Sequence, residues 1–327
     1  VGIPPDASGW RILLSSTNNG PDLYVQRDAL PTLGAFLKRS QLSTNDDLVF
    51  APGELPPGAY FIGVFQPSGS SAYTLRTETI NFSPLTWDPG TTHLGTQTYT
   101  SADTNGGDYY FKVTTQNTSL GAWRTALNVS TGEANLYLAK GAPPTAANNL
   151  YKSERAGSDG FVVPSSAFGA GEDWFYYVHA EPGARWNLVS GEPFVTNLGV
   201  VAADDSSGSG NVAVGAEGMR FFQTSPPANS AAWRLWLSGL TNMVFVKKTG
   251  VPLAGSADLS QTGQMLVVPS YLVGGQLYFV GVDGLPGTTI NLDSRLQEVT
   301  DIPFATSTNL VVTGFGYTTF RVQVPAD

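Results

Sequence analysis

The chain has 327 residues, a formal net charge of -9, a pI of about 4.7 and no cysteine. An acidic surface without a basic stripe repels phosphate backbones, so we expect no nucleic-acid partner, and disulfides are excluded. Charged residues make up only 13% of the chain, whereas it contains 37 glycines and 22 prolines. With many Thr, Val and aromatic residues besides, this composition favours short strands joined by tight turns, and therefore an all-β fold.

The sequence also bears on where the protein acts. The best apolar stretch, 266–282, is interrupted by Pro269, Gly274 and Gly275. It therefore predicts two strands around a turn and no membrane span. Few Lys, many Thr, Ser and Gly, and no Cys are typical of exported bacterial β proteins, so we expect an extracellular or cell-surface location. The chain begins at Val1 instead of Met, which indicates either that a signal peptide was removed or that the sequence is part of a longer protein.

The same block of sequence occurs three times along the chain. Each copy has a Trp-Arg pair and, further on, an aromatic-rich strand. The Trp-Arg pairs begin at Trp10, Trp123 and Trp233. The aromatic-rich strands are Tyr60 to Val64, Trp174 to Val178 and Tyr278 to Val282. A spacing of about 110 residues is too long for a solenoid unit, so each copy should be a domain with its own core.

The middle copy is complete, and seven strands are predicted in it. They run over residues 96–102, 108–114, 123–129, 134–139, 160–164, 174–179 and 185–189. The first two are joined through Asn105-Gly106, a strong hairpin signal because both residues tolerate positive φ. Seven short strands within about 110 residues predict an antiparallel two-sheet sandwich.

The predicted fold is therefore all-β, with three tandem antiparallel β-sandwich modules of the jelly-roll or immunoglobulin-like kind. We place the first module at 1–78, the second at 95–192 and the third at 208–295. The remaining segments are predicted linkers at 79–94, 193–207 and 296–307, and a C-terminal hairpin at 308–327.

Three segments of the first copy carry a family resemblance: Asp22 to Gln26, Leu55 to Val64 and Tyr73 to Arg76. Together they resemble the bacterial pre-peptidase C-terminal domain. The resemblance implies a jelly-roll sandwich in an accessory, non-catalytic role on secreted proteins. Some members of that family bind calcium or collagen through acidic residues near the start of the module. Asp22 is replaced by Asn135 and Met243 in the other copies, so the resemblance does not carry a calcium site over.

We find no catalytic constellation in the sequence and predict that the protein is not an enzyme. Its two histidines, His93 and His179, lie in different copies without metal-ligand spacing, so we interpret each as a surface or hydrogen-bonded histidine. There is no Cys nucleophile and no Gly-x-Ser-x-Gly elbow.

A weak calcium candidate exists at the hairpin of the middle copy. Asp103, Asn105 and Asp108 offer oxygen ligands of the kind that Ca²⁺ prefers. The Asn-Gly turn explains the same residues without a metal. We predict no other cofactor.

Aromatic side chains raise the question of a sugar-stacking platform. Trp10, Trp123 and Trp233 recur at equivalent positions beside an Arg. A position repeated in every copy indicates a core residue, and we expect the Arg to cover the indole edge. Trp87 and Trp236 are not repeated, so we expect these two to be freer to bind a ligand.

The first copy does not begin at the same point of the repeat as the second and third copies. The second and third copies have a hairpin before their tryptophan, at 96–114 and 211–224, whereas the first copy has no room for one. Residues 308–325, after the third copy, have the pattern of that hairpin. We therefore predict that this segment completes the open first module of another copy by strand addition. The predicted donor residues are Leu310, Val312, Phe320, Val322 and Val324, and the predicted acceptor residues are Val1, Ile3, Trp10, Ile12 and Leu14.

This pairing predicts a non-catalytic structural protein that polymerises head to tail into a filament or surface layer. Closure of a ring within one chain is less favoured, because three sandwiches would have to turn through a full circle on short links. Two other interpretations stay open. The chain is a trimmed piece of a longer repeat array, or it is an accessory region of a secreted hydrolase or adhesin that binds polysaccharide or protein.

Overall fold

The structure is a computed structural model. It describes all residues except 1, 4–8, 18–19, 44, 96–98, 103–104, 202–209, 229, 239–240, 298, 308, 310–318 and 326–327. Within the described residues the helical segments are two 3-10 turns, Pro52–Glu54 and Ser165–Ala167, and the other regular structure is β-strand. The prediction of an all-β fold is therefore confirmed. None of these helical segments is long or apolar enough to cross a membrane.

Seven strands, β1 to β7, form the first sheet pair. In chain order they are Gly2–Ile3, Trp10–Ser16, Asp22–Arg27, Lys38–Ser40, Asp46–Phe50, Gly58–Phe65 and Tyr73–Thr79. The front sheet of this pair has the order β1-β6-β3-β4, and the back sheet has the order β5-β2-β7. The two sheets enclose one apolar core, which includes Trp10, Leu23 and Tyr60.

Nine strands, β8 to β16, form the second sheet pair. They are Phe82–Pro84, Tyr99–Ala102, Gly107–Thr114, Ala122–Thr131, Ala134–Lys140, Tyr151–Ser153, Asp159–Pro164, Asp173–Ala180 and Arg185–Gly191. The front sheet has the order β13-β12-β15-β10-β8, and the back sheet has the order β14-β11-β16-β9. Their core includes Trp123, Leu136 and Tyr176.

Ten strands, β17 to β26, belong to the third sheet pair. They are Val195–Val200, Val212–Ala213, Met219–Ser225, Trp233–Leu237, Met243–Lys247, Leu259–Thr262, Gln264–Val267, Tyr278–Asp283, Thr289–Ile290 and Leu292–Leu296. The front sheet is β17-β19-β24-β21-β22, the back sheet is β23-β20-β26, and β18 pairs with β25. Their core includes Trp233, Val244 and Tyr278. Two further strands, β27 (Val299–Ile302) and β28 (Thr319–Val322), pair with each other.

The repeated tryptophans lie inside these cores, as predicted. Trp10, Trp123 and Trp233 are all buried on an inner strand of a back sheet. The indole Nε1 of Trp123 donates to Ser190 Oγ at 2.9 Å, and that of Trp233 donates to Ser294 Oγ at the same distance. Equivalent burial confirms a sandwich core around each tryptophan. The interpretation of the three sheet pairs as tandem copies of one module stays a prediction.

Segments predicted as linkers contain strands. β8 lies within 79–94, β17 begins within 193–207, and β27 lies within 296–307. β8 pairs in parallel with β10, β17 with β19, and β27 with β28. Each therefore extends a following strand as a parallel edge. Strands of three to six residues show too little alternation to be recognised in sequence.

Successive sheet pairs are stacked in the same sense. At the first junction, Val49 and Ile80 of the first pair contact the outer face of the second front sheet through Tyr110, Tyr137 and Tyr177. At the second junction, the apolar cluster joins residues of the second pair to the outer face of the third front sheet. Its buried members are Ala122, Phe221, Val251 and Phe279. The outer face of each following front sheet is therefore covered by the sheet pair before it.

Candidate self-association surfaces

The first front sheet has an open edge along most of β6. One edge of β6 pairs with β3 from Tyr60 to Phe65, but among the described residues the other edge pairs only at Ala59 and Gly58, with β1. The equivalent strand β15 pairs along both edges, with β12 and β10. As a result Ile62 and Val64 of β6 are only partly buried, whereas their equivalents Tyr176 and Val178 are fully buried. Among the described residues, no strand takes the place of β10 beside Tyr60 to Phe65.

The first back sheet has a second open edge, along β7. In the second sheet pair the equivalent strand β16 pairs with β9, which covers Trp186 and Leu188. Tyr73 and Leu75 occupy the same positions on β7. They are 51% and 38% exposed, compared with 3% and 0% for Trp186 and Leu188. The first pair therefore presents both edges that a β9–β10 hairpin closes in the second pair.

Near the C-terminus, β28 exposes apolar side chains on one face. The segment Phe320-Arg321-Val322 is similar to Phe111-Lys112-Val113 of β10, and its parallel pairing with β27 matches the pairing of β10 with β8. Phe320 and Val322 are 37% and 48% exposed, whereas Phe111 and Val113 are each 1% exposed. This strand thus resembles a front-sheet strand without the core that it would cover. Two further predicted donor residues, Leu310 and Val312, lie outside the described residues.

The position of β1 bears on the predicted donor residue Val324, which stays a prediction. By the register of β10 on β15, residues 319–322 would lie opposite Gly63 to Tyr60, and Val324 would lie opposite Gly58. The strand β1 already places Ile3 opposite Gly58. In that register Val324 would have no free place in the core row, and the donor strand would end near Val322. Val1 lies outside the described residues, as do the side-chain surroundings of Ile3.

The predicted acceptor residues on β2 do not form an edge. β2 is the central strand of the first back sheet, and it pairs with β5 on one side and with β7 on the other. Trp10, Ile12 and Leu14 are fully buried in the core that these sheets enclose. They can line that core but cannot hydrogen bond to an incoming strand. The hydrophobic pattern of one strand does not encode the order of strands in a sheet, so the sequence did not indicate this position.

The first junction is built around the buried guanidinium of Arg11. It contacts the carboxylates of Asp47 at 2.7 Å, of Glu78 at 3.5 Å, and of Asp108 on the second sheet pair. It also lies 5.5 Å from the ring centroid of Tyr177, within reach of a cation–π interaction. We expected Arg11 to cover the indole of Trp10, and this expectation is wrong. Neighbouring residues on a strand point to opposite faces, so the two side chains lie on different sides of the sheet.

The second junction contains a buried ion pair between Arg124 and Asp88, with 3.0 Å between Nη2 and Oδ2. Arg124 Nη1 also donates to the carbonyl oxygen of His93 at 2.7 Å. From the third sheet pair, Arg220 donates to His93 Nδ1 at 2.8 Å. The imidazole accepts this bond through Nδ1, so it is neutral. His93 therefore links two arginines from successive sheet pairs.

Protonation of His93 should weaken this junction. Burial, Arg220 and Arg124 lower the pKa of His93 from 6.5 to about 4. Because the folded pKa lies below the unfolded one, the stability contributed by neutral His93 is complete above pH 6.5 and is lost as the pH falls toward 4. We expect the urea midpoint to fall between pH 6.5 and 4.5, and to fall less in His93→Gln, which keeps an acceptor.

The other histidine provides the contrast in sign. His179 Nδ1 lies 2.7 Å from Asp108 Oδ1, and this hydrogen bond raises the pKa of His179. Its contribution is present at low pH and is lost as the pH rises through the raised pKa, so it cannot cause an acid-side loss. An equal acid-side fall of the urea midpoint in the parent and in His93→Gln would contradict the role of His93.

The calcium candidate receives no support from the contacts of its described residues. The Asp108 carboxylate contacts Arg11, accepts from Tyr177 Oη at 2.8 Å, and pairs with His179. Asn105 is exposed, and Asp103 lies outside the described residues. No cluster of three or more His, Cys, Asp or Glu residues suited to a metal ion occurs in the described part of the chain.

The unrepeated tryptophans have different surroundings. Trp87 is buried in the second core, with its ring centroid 5.9 Å from that of Trp123, so the expectation that it is free to bind a ligand is wrong. Trp236 is 39% exposed on the outer face of the third back sheet. Trp87 therefore completes a core, whereas Trp236 belongs to a surface.

No protein-family model and no curated protein sequence matches the chain. Weak similarities exist among solved structures. The CUB1-EGF-CUB2 domains of rat MASP-1 match at 6% identity and a TM-score of 0.18, covering 61% of this chain and 96% of that one. Lac15 from a marine microbial metagenome matches at 10% identity and a TM-score of 0.18, with coverage of 86% and 84%.

A third similar structure is that of Sulfolobus Turreted Icosahedral Virus, at 13% identity, a TM-score of 0.16 and coverage of 88% of this chain and 78% of that one. TM-scores this low carry no argument about function. The resemblance to the pre-peptidase C-terminal domain therefore stays a prediction.

Proposed function

We propose that the chain is a non-catalytic structural subunit that polymerises head to tail, with β28 of one copy added to the open edge of β6 in the next. The observation that supports this most is the paired difference in burial. Core positions that are covered in the second and third sheet pairs are partly open on β6, and the matching strand residues Phe320 and Val322 are exposed.

The chain itself supplies the pairing geometry. β10 pairs antiparallel with β15 and β19 pairs antiparallel with β24. In both cases a short parallel strand lies on the far edge, as β27 lies beside β28. The same register would place Phe320 opposite Ile62 and Val322 opposite Tyr60 of the next copy. The incoming strand would then end where β1 begins, at Ala59.

Backbone pairing and side-chain burial would contribute together. Complete burial of a Phe or Val side chain stabilises by about 1.5–3 kcal/mol, and these two side chains are already partly covered. Each backbone hydrogen bond adds about 0.5–1.5 kcal/mol net. Because association also costs translational freedom, we expect the side chains and the backbone hydrogen bonds of β28 to be needed together.

In this role the protein would form a filament or a surface layer, in keeping with the extracellular, bacterial location expected from composition. The partner is another copy of the same chain. An accessory region that binds polysaccharide or protein is the alternative, and it would remain monomeric on its own. A trimmed piece of a repeat array would offer the same two surfaces, but its natural donor would be a neighbouring repeat.

Two charge substitutions on one segment test the proposed register. Phe320→Asp places a carboxylate in the acceptor core and should abolish assembly, because burying an unpaired charge costs several kcal/mol. Val324→Asp adds the same charge two residues after Val322. In the proposed register this position lies opposite Gly58, where β1 already occupies the edge, so assembly should be nearly unchanged. Sedimentation of both variants beside the parent would measure this. Equal loss of assembly in the two variants would contradict the register, and no loss in either would contradict strand donation.

A further inference from the structure

Strand addition is not the only contact that the internal stacking implies for two copies. At both internal junctions, the outer face of a front sheet packs on the back sheet before it. Among the described residues, no sheet pair precedes the first front sheet and no sheet pair follows the third back sheet. We propose, as an extension of the proposed function, that these two outer faces stack on each other between copies.

The first face is an exposed apolar patch, which we call the leading face. Its residues are Leu30, Leu33, Phe61 and Phe65, all exposed. Leu30 precedes Pro31 just as Val251 precedes Pro252 in the third copy. Leu30 is 74% exposed, whereas Val251 is 2% exposed because the second sheet pair covers it. The leading face therefore has the residues of a junction without the junction partner.

The second face lies on the third back sheet, and we call it the trailing face. It comprises Arg234, Trp236 and Leu266, which share the outer side of β20 and β23. Arg234 occupies the position in the third Trp-Arg pair that Arg11 and Arg124 occupy in the first two. Those two have carboxylate partners, whereas Arg234 has no ion pair among the described residues, and its Nε is buried without a hydrogen-bond partner.

The two faces are chemically complementary in the same way as the internal junctions. An arginine flanked by apolar residues faces aromatic side chains at the first junction, where Arg11 lies over Tyr110 and Tyr177. At the second junction a backbone hydrogen bond also fixes the relative position of the two sheet pairs: Val251 N–H donates to the Leu120 carbonyl oxygen at 2.7 Å. The equivalent positions across two copies are Leu30 and Ser230. A second copy is therefore the occupant that both faces fit.

Cysteine cross-linking tests this contact directly, since the chain has no native cysteine. The double variant Leu30→Cys/Ser230→Cys should give a ladder of disulfide-linked multimers on a non-reducing gel under mild oxidation. Equimolar mixing of the two single variants should give mixed dimers. The matched control is Leu150→Cys in place of Leu30→Cys, because Leu150 is exposed on the second sheet pair away from both faces.

A second measurement uses charge on the two faces. Leu30→Asp or Trp236→Asp should raise the concentration needed for assembly by about tenfold or more, while Leu150→Asp should change it little. Assembly that depends on β28 but shows no Leu30–Ser230 cross-link and no effect of Trp236→Asp would overturn the stacking and leave strand donation standing. No assembly of the parent chain at any concentration would overturn both.

Discussion

A chain that lacks residues 308–327 is expected to remain monomeric at concentrations at which the full chain assembles. The deletion removes β28, so Phe320 and Val322 can no longer cover Ile62 and Tyr60 of another copy. It leaves the three cores and both internal junctions intact, because none of their described members lies beyond residue 307. Sedimentation velocity would show one species of monomer mass, and its unfolding transition should lie close to that of the parent at concentrations too low for assembly.

Mixing supplies the control for this deletion. The truncated chain keeps its β6 edge, so it should still accept a donor strand and end a growing polymer. Adding it in substoichiometric amounts should shorten assemblies of the full chain. Amide hydrogen exchange should slow along β6 of the truncated chain in such mixtures, because the open edge becomes paired. Unchanged length and unchanged exchange would show that β28 is not the donor.

The largest stability effect is expected for Trp123→Ala. This side chain is fully buried, and its ring lies 5.2 Å from that of Trp174 and 5.5 Å from that of Phe168. Removing a large aromatic residue from such a core costs about 3–5 kcal/mol, through lost transfer free energy and an unfilled cavity. Ser190 Oγ would also lose the indole as a donor. Urea unfolding should therefore show a large loss of stability.

Trp236→Ala is the matched control for that substitution. The Trp236 side chain is partly exposed and lies outside the three cores, so unfolding of the monomer should change by about 0.5 kcal/mol or less. Similar urea midpoints for Trp123→Ala and the parent would show that Trp123 is not a core residue and would restore the sugar-platform interpretation.

The repeat made the cores predictable. Trp10, Trp123 and Trp233 occupy equivalent positions. A residue that is repeated in each copy is one that the packing of each core requires. The alternation of apolar and polar residues likewise located the strands of the middle copy, such as β10 and β15. These features depend on short-range periodicity, which a single sequence displays directly.

What escaped prediction depends on long-range arrangement. The central position of β2 follows from its pairing with both β5 and β7, and no residue of β2 indicates how many neighbours it has. Trp87 was misjudged because it fills a space that exists only in the second core. The acceptor edge was predicted on β1 and β2 and not on β6 for the same reason. The sequence shows that a hairpin is missing from the first copy, but it does not show which strands that hairpin would neighbour.

The most direct test of head-to-tail assembly is sedimentation velocity of the full chain over about a hundredfold range of concentration. We expect the 34.6 kDa monomer at the lowest concentration and a growing series of heavier species above it, with little change in high salt because the junction is apolar. A single 34.6 kDa species throughout would contradict it.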